Sequence, residues 1–346
     1  MRADDAIHQA AGQAVADRLQ SLRLGEQVTV RNLCMVPLLD GTGDAPGYLT
    51  LDEAIAQGLV QITELSEGGS VPELKLTNAA SQPVLLLDGE ELVGAKQNRV
   101  LNLTILVPAG ATTVIPVSCV EAGRWAYRSE RFAASPRVHY AAGRAQRMEQ
   151  VSASLRREGR RRSDQGQVWA HISARMADLG ADSPTEAMAD IYEHHAATIE
   201  EYASGMRLAE GQVGGVFLVG DALLGCELFD HPATMAHLFG KLVRSYALDA
   251  LALRAGSVPD DVVEAASALL RDAGTARTEA FEAIGLGVDL RLTGERLTGA
   301  ALVAEGRVVH LSLFRTRPPR ETAGAGARLQ RPSERLWRAR RGRGGE

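Results

Sequence analysis

The chain has 346 residues, 45% hydrophobic, 23% charged and 4% aromatic, an ordinary globular composition with room for about two domains at roughly 150 residues each. No stretch approaches the roughly 18 uninterrupted apolar residues of a membrane span, and Cys34, Cys119 and Cys226 make no CxxC pair, which excludes a disulfide framework and a cysteine zinc site. The net charge of −5 hides a split, because residues 315–346 carry ten arginines against three glutamates, +7, leaving −12 for residues 1–314.

Residues 1–24 begin with early acids and no apolar block, which predicts an amphipathic helix, not a secretion signal, and a cytoplasmic protein. "VTVRNLCMVPLL" reads as a strand and "DGTGDAPG" as a turn-rich loop. In "LTLDEAIAQG" Thr50 caps a short helix, Glu53 completes a capping box and Gly58 ends it. "LVQITEL", "PELKLTN", "PVLLLDG", "RVLNLTILVP" and "TTVIPVSCV" then give five short β-branched strands without a helical break, so residues 25–130 form a β-rich, sandwich-like or barrel-like lobe. Residues 131–210 turn to a helical period and read as a connector, with a stop at Gly180 and a start capped by Ser183 with Pro184 and Glu186 behind it. A hairpin around Gly220-Asp221, two helices and three strands make residues 211–315 a mixed lobe. The fold class is α+β. Residues 316–346, rich in Arg, Gly and Pro, read as a disordered basic tail. The scarcity of aromatic platforms argues against nucleic acid as its partner.

The polar residues concentrate in three places. In "LLLDGEELVGAKQNRVLN" a buried-looking run leads into Asp88, Glu90 and Glu91 and then Lys96, Gln97, Asn98 and Arg99. Taken singly these are solvated loop charges on the rim of a turn at Gly89, where a surface pair contributes about 0–1 kcal/mol. Together they suit a ligand with hydroxyls and phosphates: carboxylates for ribose hydroxyls or a divalent metal, Arg99 for bidentate phosphate binding, Gln97 and Asn98 for orientation. In "IPVSCVEAGRW", Cys119 is either a small buried hydrophobe or a nucleophile, and Glu121 and Arg124 lie just past the strand's end, where they could face Glu90 or Arg99. In "ELFDHPATMAHLFGKLVRSYALDA", Asp230 reads as a helix cap, and Lys241 and Arg244 share a helix face, solvated or phosphate-binding. The histidines show no HExxH spacing, and no GxGxxG at a strand-to-helix turn, GxxxxGK[ST] or GxSxG occurs.

These blocks, with "SDQGQVW" and "KLVRSYALDAL", resemble the family named for its association with ADP-ribosylglycohydrolases and rhodanese-phosphatases, over roughly residues 27–315. The resemblance implies an α+β domain near ADP-ribose and NAD-linked metabolism. It carries Asp88, Gly89, Glu90, Glu91, Lys96, Gln97, Asn98 and Arg99, then Ser118, Cys119, Glu121, Arg124 and Trp125, then Gln165, Gly166 and Trp169, and finally Lys241, Arg244, Ser245 and Tyr246. Two readings follow. One is an enzyme or ligand-processing domain for a ribose-phosphate small molecule, with Glu90, Glu91, Glu121 and Cys119 as catalytic groups, Asp88, Lys96, Gln97, Asn98, Arg99, Arg124, Lys241 and Arg244 on the ligand, and no cofactor specified beyond a divalent metal. The other is a non-catalytic binding or scaffold protein for a metabolic enzyme, and in either case a helix-rich connector is the element through which a homodimer would form.

Overall fold

A computed structural model describes residues 3–40, 45–66, 72–253, 258–259 and 261–316; the tail expectation for 316–346, its first residue apart, and part of the 40–47 turn lie outside these. Helix α1 (Ala3–Ser21) precedes β1 (Arg23–Leu24), β2 (Val28–Val30) and β3 (Leu33–Leu39). After β4 (Leu49–Thr50) and α2 (Leu51–Ala56) come β5 (Val60–Glu64), β6 (Glu73–Asn78), β7 (Val84–Leu86), β8 (Glu90–Gly94), β9 (Arg99–Leu101), β10 (Ile105–Val107), β11 (Thr112–Cys119) and β12 (Phe132–Val138). Four helices follow: α3 (Ala141–Glu158), α4 (Gln165–Leu179), α5 (Met188–His194) and α6 (Ala196–Gly205). The chain then forms β13 (Gln212–Val219), β14 (Ala222–Phe229), α7 (Pro232–Ala252), α8 (Val262–Gly274), β15 (Arg277–Glu282), β16 (Val288–Gly294), β17 (Leu297–Ala304) and β18 (Arg307–Arg315).

The fold is α+β with a β-rich N-terminal part. Strands β11, β6, β5, β12, β8 and β9 close into a barrel, and β10, β7 and β4 form a small three-stranded sheet of their own, so the expected lobe is barrel-like where its ring closes. Its lumen is filled by Ile62, Leu74, Leu76, Leu92, Leu101, Ile115, Val117 and Phe132, with Leu51 and Ala54 of α2 among them. The capping box of α2 forms as its sequence dictates: Thr50 accepts from the Glu53 backbone and the Glu53 carboxylate accepts from Thr50 N at 2.9 Å.

The second sheet has nine strands in the order β1-β3-β13-β14-β18-β17-β16-β15, with β2 on β3. The chain thus lays its first strands into the sheet that its last third completes, and the barrel is inserted between them. Both faces of this sheet are covered: α1 and α8 pack on Cys34, Val36 and Leu38, while α3 to α7 pack against Leu33, Met35, Phe217 and Val219. That explains the unbroken apolar run of β3, which alternation for a half-exposed strand would have interrupted.

Four local expectations change. "RVLNLTILVP" makes two strands: β9 pairs with β11 and β8 in the barrel, whereas β10 pairs with β7 in a separate sheet, with Asn102 at the junction donating its side-chain amide to Arg161 O at 3.1 Å. "DGEELVG" contains a strand of its own, β8. Ser183 accepts from Thr185 N and Ala187 N instead of capping a helix, Glu186 takes φ 50°, and α5 starts only at Met188. The final segment yields four strands, since Arg277–Glu282 pairs along β16.

Candidate functional site

Three inward-facing residues interrupt the apolar alternation of the barrel. Arg99 stands two residues from Leu101, Glu64 two from Ile62 and Cys119 two from Val117, so all three project on the lumen side of their strands. Cys119 pairs directly with Arg99 across the β9–β11 ladder. Arg99 is fully buried, and its Nη1 donates to Gln97 Oε1 at 2.9 Å. Its Nε and Nη2 find no hydrogen-bond partner among the described residues, and neither do the two oxygens of Glu64. Yet Arg99 Nη2 and Glu64 Oε1 stand only 4.0 Å apart. Buried donors and acceptors left unmade cost about 1–3 kcal/mol each, so a polar group inserted between the two would be stabilised there.

Aromatic rings roof this end. The Trp125 ring lies 5.8 Å from the Arg99 guanidinium carbon, and Lys96 Nζ sits 5.3 Å from Trp125 and 5.0 Å from Tyr127. Trp125 and Tyr127 are 50% and 55% exposed. A hollow of about 700 Å³, lined by Thr63, Glu64, Ser66, Tyr127, Arg128, Ser129 and Glu130, opens beside Glu64. Gly94 makes the closure of this end feasible: at φ 137° any Cβ would meet Arg131 O and Ser129 Oγ at 2.6 Å. From outside, Gln165 clamps the Cys119 backbone with two hydrogen bonds of 2.8 Å, and Trp169 of the same helix faces the thiol. Burial pushes the Cys119 thiol up by more than the Arg99 charge pulls it down, so the sulfur is a protonated thiol at neutral pH.

Asn98 points to the other side of β9 and organises a second group. Its Nδ2 lies 3.5 Å from Glu91 Oε1, its Oδ1 accepts from Arg124 Nη2 at 3.1 Å, and its backbone N–H donates to Glu121 Oε2 at 3.2 Å. Arg124 pairs with Glu121 at 2.7 Å and Arg137 with Glu91 at 2.7 Å. Burial raises the Glu121 carboxyl, but hydrogen bonds from Arg124 and Asn98 outweigh it and hold the group below its ordinary range. A cleft of about 520 Å³ opens over Asn98, Glu121 and Arg137, walled by Arg128, Asp182, Thr185, Asp190, Glu193 and His194.

The remaining predicted residues lie elsewhere. Asp88 is buried and accepts from Arg147 Nη2 at 2.6 Å and Arg144 Nε at 3.2 Å. Arg144 also grips Glu227 with two bonds of 2.5 and 3.1 Å, and Tyr246 and His310 complete the Glu227 shell at 3.0 and 3.2 Å. Gly89, at φ 84°, lets Arg144 pass, because a Cβ there would lie 2.9 Å from its Cδ. Beside this network lies a cavity of about 10 Å³, lined by Asp88, Thr104, Arg291 and His310 among others, room for one water and no ligand. Glu90 accepts from Lys241 Nζ at 2.8 Å, and Lys241 also pairs with Asp52 at 2.6 Å. Arg244 is half-exposed and bonds to Glu200 at 2.8 Å. The acids after Gly89 are therefore buried groups, not rim charges, and Lys241 and Arg244 serve different partners despite sharing a helix. Asp230 bonds to Tyr48, and His231 caps α7 by accepting from Ala233 N at 3.0 Å.

Of the predicted residues, Lys96, Gln97, Asn98, Arg99, Cys119, Glu121, Arg124 and Glu91 gather at the barrel's polar end, whereas Asp88, Glu90, Lys241 and Arg244 do not join them. Glu64 and Arg137 are additions. A charged residue breaking the strand patterns "LVQITEL" and "FAASPRV" was the available signal. Among the described residues no group of three or more His, Cys, Asp or Glu is placed to hold a metal ion, and no helix is long and apolar enough to cross a membrane.

A family model described as ARG and Rhodanese-Phosphatase-superfamily-associated Protein domain matches residues 21–314. No curated protein and no solved structure matches.

Proposed function

We propose, for a chain that belongs to the ARG and Rhodanese-Phosphatase-superfamily-associated Protein domain family, that it is a binding domain for a ribose-phosphate small molecule, taken at the polar end of the barrel. The observation that carries this is the unclosed Arg99–Glu64 pair: a guanidinium with two unused nitrogens opposite a carboxylate with two unused oxygens. A phosphate satisfies the guanidinium in a bidentate mode, and a sugar hydroxyl satisfies the carboxylate. The exposed Trp125 and Tyr127 rings offer stacking faces to a base. Reading ARG in the family description as ADP-ribosylglycohydrolase supports the same ligand class.

The chemistry favours binding over turnover. Cys119 is protonated and Glu121 is held ionised by Arg124, so neither offers a ready thiolate or a general acid. The half-exposed Trp125 and Tyr127 also favour the scaffold reading, in which they anchor a partner protein.

The test is titration of the purified protein with ADP-ribose, NAD, AMP and ribose 5-phosphate, following tryptophan fluorescence and thermal stability. A ligand at 100 times its dissociation constant adds about 2.7 kcal/mol to stability. Arg99→Lys keeps the charge but loses the fork and should weaken binding about tenfold or more. Trp125→Ala, on the surface, should fold normally and remove the fluorescence change. A flat response to the whole panel at millimolar ligand would discard this reading and leave the scaffold.

A further inference from the structure

The hollow beside Glu64 and the cleft over Asn98 are separate concavities of about 700 and 520 Å³, each large enough for a ring and a sugar. One residue, Arg128, lines both. Its side chain is 60% exposed, and among the described residues its ion-pair contact is with Glu121 Oε1 at 4.0 Å, while Glu121 is tightly paired with Arg124 at 2.7 Å. The Arg128 guanidinium is thus a weakly held cation on the ridge between two hollows.

The ridge is fixed. Gly123 N donates to Thr185 O at 2.8 Å, Ala126 N to Lys96 O at 3.3 Å and Arg128 N to Ala95 O at 2.9 Å. Gly123 has no room to become anything larger, because a Cβ would lie 2.9 Å from Thr185 Cα. Backbone hydrogen bonds on both sides of the segment hold Arg128 in place without using its guanidinium.

The two hollows differ in chemistry. The one beside Glu64 has the Tyr127 ring in its wall and suits a base. The other has carboxylates at Asp182, Asp190 and Glu193 beside His194, and the Arg137 in its wall is already spent on Glu91 at 2.7 Å and Glu193 at 3.5 Å, so it offers acceptors for the hydroxyls of a sugar and little to a phosphate. With one phosphate on Arg99 as proposed above, a second phosphate belongs between the two hollows, where Arg128 offers a bidentate fork. Building on the ligand class proposed above, we infer that the protein recognises a two-ended molecule, a nucleoside at one end and a free sugar at the other, joined by a diphosphate that lies across Arg128.

Calorimetric titration with ADP-ribose as the two-ended probe and with AMP and ribose 5-phosphate as its halves tests this. Joining two ends that each bind should make the whole molecule at least roughly 100-fold tighter than either half, by effective concentration. Arg128→Ala should weaken ADP-ribose by about tenfold or more and AMP by clearly less, because only the two-ended molecule spans the ridge. AMP binding as tightly as ADP-ribose, with Arg128→Ala neutral for both, overturns the bridge while sparing the barrel-end site. Absence of binding by all three probes sinks the bridge together with the ligand-binding reading on which it rests.

Discussion

Replacing Asp88 by Asn removes the one carboxylate that neutralises Arg147, a guanidinium that is 1% exposed and whose Nε already lacks a partner. Arg147 would keep its contact with His139 Nδ1 at 2.6 Å and, at position 88, at best a neutral amide oxygen, whereas Arg144 would retain both bonds to Glu227. The loss is therefore one uncompensated buried charge. Breaking a buried pair from one side costs about 3–5 kcal/mol. With a urea slope of about 3 kcal/mol/M, the midpoint should fall by about 1–2 M. The informative companion is the double variant Asp88→Leu with Arg147→Met. Because desolvation of the two ions offsets much of their attraction, removing both should cost less than removing Asp88 alone. Urea melts of the wild type, Asp88→Asn, Asp88→Leu, Arg147→Met and the double variant close the cycle. A midpoint for Asp88→Asn within 0.3 M of wild type, about 1 kcal/mol at that slope, would refute the claim that the network is held by charge; so would a double variant as unstable as the two single losses summed.

Stability should also fall as pH drops from 7 to 5. Burial and the Arg147 charge hold His139 well below its ordinary range, and burial and Arg175 bring His171 to about 4; the unfolded chain then takes up protons near 6.5 that the folded chain refuses, at about 1.4 kcal/mol per pH unit for each group. The carboxylates Asp88, Glu121 and Glu227, held low by their arginines, contribute stability that is present above about pH 4.5 and lost only as pH falls through their folded values, so a urea midpoint unchanged between pH 7 and 5 would contradict the histidine assignment. Thr50→Ala should cost about 1 kcal/mol by removing the capping box of α2, visible as a lower midpoint with an unchanged slope. Ellman's reagent should find no reactive thiol in the native protein and three in guanidinium, since Cys34, Cys119 and Cys226 are all fully buried; rapid native labelling of Cys119 would mean that the barrel end opens readily.

The elements were legible where local chemistry decides them. Thr50 and Glu53, the αL stop at Gly180 and the turn at Gly220-Asp221 each depend on neighbours within a few residues, and each stands as its sequence dictates. The polar run 88–99 was legible as a concentration of groups that a core would not take without partners. Its division was not, because the partners come from far away: Arg144 and Arg147 from α3, Glu227 from β14, Lys241 from α7. Nothing within the run says which acid meets which arginine. Glu64 and Arg99 are 35 positions apart in the chain, and only barrel closure brings them to 4.0 Å.

Strand β8 sets Glu90 and Glu91 back to back, the first turned to Lys241 and the second to Ser135 and Arg137. Both are buried to within 1%, so neither has solvent to retreat to. A strand slipped by a single residue exchanges its two faces. Insertion or deletion of one residue between Asp88 and Arg99 would thus present each acid to the other's cation site at the wrong reach, and would swing Arg99 out of the lumen. The length of this stretch therefore has no freedom to drift: which acid meets which cation is set by its spacing as much as by its residues.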